Sequence, residues 1–101
     1  MKATDNQVIG MIITLDSPEI AEIISELGYD WVMIDMEHST LDIKSTQRII
    51  QVIGNKCKTI VRIPVNEDVW IKRILETGCD GIMIPLVNTA EEASKAINAT
   101  K

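Results

Sequence analysis

The stretch Trp31-Val32-Met33-Ile34-Asp35-Met36-Glu37-His38 decides how this chain folds: four apolar residues run straight into two carboxylates and the only histidine in the sequence. The run is short enough for a strand and too continuous for a half-exposed one, so it predicts a parallel strand covered on both faces. Its carboxyl end carries the polar groups. Working outward, similar runs occur at Val8 to Ile13, Thr59 to Ile63 and Gly81 to Ile84.

Helical periodicity fills the gaps between these runs, with Ile20, Ile23, Ile24 and Leu27, then Leu41, Ile49, Ile50 and Ile53, then Val69, Ile71, Ile74 and Leu75, then Ala93, Ala96 and Ile97. Ser17-Pro18 reads as an N-cap followed by proline at the first helical position, and Thr89-Ala90-Glu91-Glu92 has capping-box spacing. Ser39 and Asn66 are candidate caps for the other two helices. Gly28, Gly54 and Gly78 stand where a left-handed residue ends a helix. The order is therefore βαβαβαβα, with a loose structural period and no evident sequence repetition.

This alternation belongs to an α/β fold, either a doubly wound sheet or part of a (β/α)8 TIM barrel, and a whole barrel needs ~250 residues. With 101 residues the chain holds the first four βα units, a half-barrel, so residues 1–101 are expected to form the N-terminal half of one barrel domain. A half-barrel exposes two strand edges and an apolar inner face, which predicts pairing with another half or a homo-oligomer.

A hydrophobic content of 46% supports a core, and a net charge of -5 with few aromatics argues against a nucleic-acid partner. No apolar stretch approaches the ~18 residues that span a bilayer, and Met1 to Asn6 lack the apolar core of a signal peptide, so the expectation is a cytoplasmic protein with no membrane partner. Cys57 and Cys79 have no CxxC spacing and no histidine beside them, and both are expected to be reduced, Cys79 as a small core residue.

Ligands of parallel α/β folds lie beyond the carboxyl ends of the strands. Those ends carry Asp35, Glu37, His38, Arg62 and Asn88, whereas Tyr29, Asp30, Lys58, Cys79 and Asp80 fall at the opposite ends as stability or turn residues. Histidine ordinarily changes charge near neutrality, so His38 can act as a general base on a substrate hydroxyl if a neighbour holds its tautomer. Arg62 interrupts an apolar run and needs an anionic partner, either a substrate carboxylate or enolate or an internal pair with Asp35 or Glu37. Asp35 and Glu37 are two residues apart and form an acidic patch, too small by itself to enclose a metal. No lysine lies at a strand carboxyl end, which removes the nucleophile of a Schiff-base route, and no glycine-rich phosphate loop or GxSxG motif occurs.

At Gly28 to His38, Val61-Arg62-Ile63-Pro64, Ile71 to Gly78 and Ile84 to Ala93 the sequence resembles the HpcH/HpaI aldolase family, of the 4-hydroxy-2-oxoheptanedioate or 2-keto-3-deoxy sugar acid aldolase type. The resemblance runs nearly end to end and implies a class II aldolase on a (β/α)8 barrel, a carbon-carbon lyase that cleaves a 4-hydroxy-2-oxo acid to pyruvate and an aldehyde with magnesium, manganese or cobalt. It implies that His38 is the acid/base, that Arg62 stabilises the pyruvate enolate, and that Asp35 and Glu37 hold water around the metal. The family's metal-ligating glutamate and aspartate belong to the second half of the barrel, so the resemblance places no metal ligand in this chain and implies that the chain alone is inactive. Glu76 stands where the family has an aspartate that raises the basicity of the histidine, and from the end of its helix it could do so only across an interface. Two other readings stay open: a non-catalytic half-barrel that binds or assembles, and another enolate-forming (β/α)8 lyase of the citrate-lyase or phosphoenolpyruvate-mutase kind.

Overall fold

Four parallel strands and four helices alternate along the chain in a computed structural model that describes residues 8–85 and 87–101. Residues 1–7, which include the segment weighed as a signal peptide, and Leu86 lie outside the described residues. The elements are β1 (Gly10–Ile13), α1 (Pro18–Ser25), β2 (Trp31–Asp35), α2 (Ile43–Ile53), β3 (Lys58–Arg62), α3 (Asp68–Leu75), β4 (Gly81–Met83) and α4 (Ala90–Ala99). The strands lie side by side in chain order, all parallel, which is the arc made by four units of a (β/α)8 barrel. Among the described residues no helix is long and apolar enough to cross a membrane.

Register sorts the side chains into two faces, because successive strand residues point to opposite sides. Ile13, Ile34, Val61 and Ile82 form one row across the sheet and meet the helices, where Ala21, Ile49, Ile53, Ile71 and Ile74 complete a dry core. The other face carries Ile12, Met33, Ile60 and Gly81 in one row, and Asp35, Arg62 and Met83 in the row nearest the carboxyl ends. Ile12 and Met83 are exposed there.

Helix starts follow the sequence with two corrections. Ser17 and Thr89 cap α1 and α4, accepting from the backbone amides of Ile20 and Glu92. Asp42, not Ser39, caps α2, in a reciprocal box with Ser45; Ser39 Oγ instead donates to the Asp35 carbonyl. At α3 the N-cap is Glu67 with no side-chain bond, and Asn66 Nδ2 reaches over to the Glu92 carbonyl. Cys79 is half-buried and Cys57 is the buried cysteine; both thiols are free, and burial pushes both up in pKa. Lys58 is the first residue of β3, at its amino end.

The amino ends of the strands show a repetition, and against the expectation of none the sequence carries it too, since Ile24-x-Glu26-x-Gly28-x-Asp30-x-x-Met33-Ile34 returns as Ile74-x-Glu76-x-Gly78-x-Asp80-x-x-Met83-Ile84. Asp30 Oδ2 accepts the Ile9 amide at 2.9 Å, and Asp80 Oδ2 accepts the Thr59 amide at 2.8 Å. Each aspartate follows a glycine of positive φ, Gly28 at 89° and Gly78 at 86°, and each ties its own strand to the one before it. The β1-α1-β2 unit thus recurs as β3-α3-β4. Gly10 meets a different demand, since a Cβ there would fall 2.1 Å from the Trp31 indole that lies over it.

Asp80→Ala removes the acceptor of the Thr59 amide and is expected to lower stability by about 1 kcal/mol, whereas Asp80→Asn keeps an acceptor and costs less. Urea unfolding checks this, with a lower midpoint and an unchanged slope expected for the alanine variant.

Candidate active site

β2 and β3 are neighbours in a register that sets Asp35 directly beside Arg62, so the last residue of each strand meets the other on the open face. The contact is a fork: Arg62 Nε donates to Asp35 Oδ1 at 3.1 Å and Nη2 donates to Oδ2 at 2.5 Å. Asp35 is almost fully withdrawn from water, at 3% side-chain exposure, and Arg62 keeps 24%. A buried carboxylate needs such compensation.

Asp35 also shapes the segment after β2. Its Oδ1 accepts the amides of Glu37 at 2.9 Å and His38 at 3.0 Å, and its carbonyl receives Ser39 Oγ, which in turn accepts the Leu41 amide. One carboxylate therefore fixes both the guanidinium and the turn that presents the histidine. The Arg62 guanidinium and, after it, the two backbone amides hold the Asp35 carboxyl down at about 2, against the opposing effect of burial.

Glu37 joins the remaining members. Its Oε1 lies 3.7 Å from Arg62 Nε and 3.3 Å from His38 Nε2. His38 is the outermost of the four, with its side chain 67% exposed. The imidazole and the guanidinium thus share one rim with a carboxylate between them, and the internal ion pair weighed for Arg62 is present. Among the described residues Arg62 Nη1 has no hydrogen-bond partner, so one edge of the guanidinium remains open.

These side chains do not make a metal centre. Among the described residues no group of three His, Cys, Asp or Glu is placed to hold an ion. Asp35 is occupied by Arg62 and two amides, which leaves Glu37 as the carboxylate with lone pairs to offer. Glu76 is the C-cap of α3 and lines a surface cleft with Ile43, Lys44, Gln47 and Arg73; no hydrogen bond or ion pair joins it to His38. Asn88 is exposed and its amide lies 3.4 Å from Glu92 Oε1 at the start of α4, apart from the cluster. Ser39 is the member that the sequence assigned to a different task, and only its spacing from Asp35 could have signalled the turn.

Known proteins resemble this chain in sequence and fold. Residues 8–101 match the profile of a family described as HpcH/HpaI aldolase/citrate lyase. A hydroxypyruvate/pyruvate aldolase of Paraburkholderia phytofirmans is 36% identical over all of this chain and 40% of its own length. A 4-hydroxy-2-oxovalerate aldolase of Novosphingobium aromaticivorans is 35% identical over 92% of this chain and 36% of its own length. Among solved structures, an HpcH/HpaI aldolase/citrate lyase family protein from Burkholderia cenocepacia superposes with a TM-score of 0.88 at 31% identity, covering 93% of this chain and 38% of that one. The chain spans about two fifths of the length of these relatives.

The paired Asp35 makes stability depend on acid in a defined direction. Its folded pKa lies below the ordinary value, so the contribution, about 2 kcal/mol, is complete above pH ~4 and disappears as pH falls through about 2. Asp35→Asn is expected to lose about 3 kcal/mol at pH 7, because Arg62 is left short of its partner, and to flatten that acid limb. Urea midpoints measured between pH 2 and pH 7 test both.

Proposed function

The chain belongs to the HpcH/HpaI aldolase/citrate lyase family, and on that footing we propose that it supplies the proton-transfer and oxyanion-binding side of a pyruvate aldolase that cleaves a 4-hydroxy-2-oxo acid to pyruvate and an aldehyde. The observation that carries the proposal is the row of Asp35, Arg62, Glu37 and His38 along the carboxyl ends of β2 and β3, with the histidine outermost. A retro-aldol cleavage needs a base at the C4 hydroxyl and a positive group at the C2 oxygen. Exposed His38 takes the hydroxyl proton, the C3–C4 bond breaks, and its electron pair moves onto the C2 oxygen. The open edge of Arg62 receives that enolate oxygen, and a proton returned to C3 gives pyruvate.

Charge also says what these residues leave undone. Asp35 and Glu37 together outweigh Arg62 by one negative charge, and an oxo acid is itself an anion. A divalent ion such as magnesium, manganese or cobalt would relieve that repulsion, and in this proposal its ligands come from outside the described residues, with Glu37 reaching it at most through water. Glu76 is proposed to act, if on His38, only from another subunit.

A citrate synthase variant superposes on this chain with a TM-score of 0.80 at 26% identity, which supports a second reading, carbon-carbon chemistry on a larger oxo acid.

Replacing the matching segment of the Paraburkholderia aldolase by residues 8–101 tests the proposal. With added manganese the chimera is expected to release pyruvate from 4-hydroxy-2-oxopentanoate, and His38→Ala within it to lower the rate by about 10² to 10⁴. Equal rates for the two chimeras would exclude His38 from the reaction, and turnover of only larger tricarboxylic substrates would favour the second reading.

A further inference from the structure

We infer that Ser39 is a positioning residue for His38: its hydroxyl pins the far side of the arch that carries the imidazole, and so sets where the proposed base stands over the open edge of Arg62. The catalytic consequence rests on the lyase reading; the pinning itself does not. The arch has two feet in the core, Met36 and Leu41, each 5% exposed. Glu37, His38, Ser39 and Thr40 run between them, outside any helix or strand. The Met36 amide donates to the Arg62 carbonyl at 2.9 Å, one step past the end of β2, and Asp42, the N-cap of α2, follows Leu41 directly.

A span of this kind, with an exposed side chain at its crest, has many conformations open to it unless its backbone is tied. Asp35 ties the near side, through the amides of Glu37 and His38. Among the described residues that carboxylate bonds nothing in the arch beyond His38. Ser39 supplies the second tie in both directions, since its Oγ donates back to the Asp35 carbonyl and accepts the Leu41 amide at 3.1 Å. A hydroxyl gives and takes at a single atom. It therefore closes the arch on the residue before the bend and on the foot after it.

The imidazole has no packing of its own to hold it, because its side chain is 67% exposed and its ion-pair partner Glu37 belongs to the same arch. Its placement is inherited from the backbone beneath it. Ser39 acts only through that backbone: its proton is committed to a carbonyl, and among the described residues it makes no bond to the imidazole or to Arg62. This separates it from Asp35, whose loss also unpairs the guanidinium. A change at Ser39 loosens the histidine and leaves the ion pair in place. Substrate held by Arg62 is then bound as before, and the loss falls on the proton transfer, which tolerates misplacement poorly.

Two measurements decide it. In the 101-residue chain, Ser39→Ala is expected to raise hydrogen exchange at the His38 and Leu41 amides by about tenfold, with Val32 and Ile34 in β2 unchanged. Ser39→Thr, which keeps the hydroxyl, is expected to hold both amides slow. In the chimera with the Paraburkholderia aldolase, Ser39→Ala is expected to lower kcat by about 10 to 10² with KM unchanged, and Ser39→Thr to restore most of the rate. Exchange that stays the same at His38 and Leu41, or that rises equally at all four amides, overturns the inference. So does an undiminished kcat for Ser39→Ala beside an impaired His38→Ala chimera, or a loss of rate that Ser39→Thr shares while its two amides stay slow. A His38→Ala chimera as fast as its parent overturns the lyase reading alone, and the exchange rates then decide on Ser39 by themselves.

Discussion

The fork between Asp35 and Arg62 is the contact on which the carboxyl-end architecture depends. An arginine at the end of a strand in an apolar sheet is tolerable only if its charge is matched, and a carboxylate with 3% exposure is tolerable only if nearly all its lone pairs are used. Each residue answers the other's requirement, because parallel register sets them side by side. The same carboxylate then gathers the amides of Glu37 and His38, so the turn after β2 inherits its shape from the ion pair. Losing either partner would disturb the pair and the direction in which the imidazole leaves the sheet.

The organisation at the opposite ends of the strands serves a different purpose. Asp30 and Asp80 have the same chemistry as Asp35, yet among the described residues they bind backbone amides of a neighbouring strand and no cation, and they sit where no ligand of this fold class is received. Three aspartates at strand boundaries thus divide into two that set strand register and one that sets a site. Position along the strand decides the division.

Much of this was legible from residue order. The apolar runs marked all four strands to within two residues at either end, since a run covered on both faces has no alternation to confuse the reading. The carboxyl ends of β2 and β3 already group Asp35, Glu37, His38 and Arg62 in residue order alone. The caps of α2 and α3 were misread because several polar residues precede each helix and only backbone direction selects among them; Asp42 and Ser45 had the right spacing, but Ser39 stood closer to the strand. The two-unit repeat is written in the sequence as well, where Ile24, Glu26, Gly28, Asp30, Met33 and Ile34 have identical counterparts in Ile74, Glu76, Gly78, Asp80, Met83 and Ile84, but it is confined to the helix end and the strand after it, which the spacing of whole units does not show.

The Trp31 indole lies across Gly10 on the inner face, at the end of the sheet away from His38. Even the smallest side chain at position 10 would meet the ring, since a Cβ there would fall 2.1 Å from it. The two residues are therefore coupled: enlarging the one displaces the other, and the packing of the whole amino-end row would shift with it.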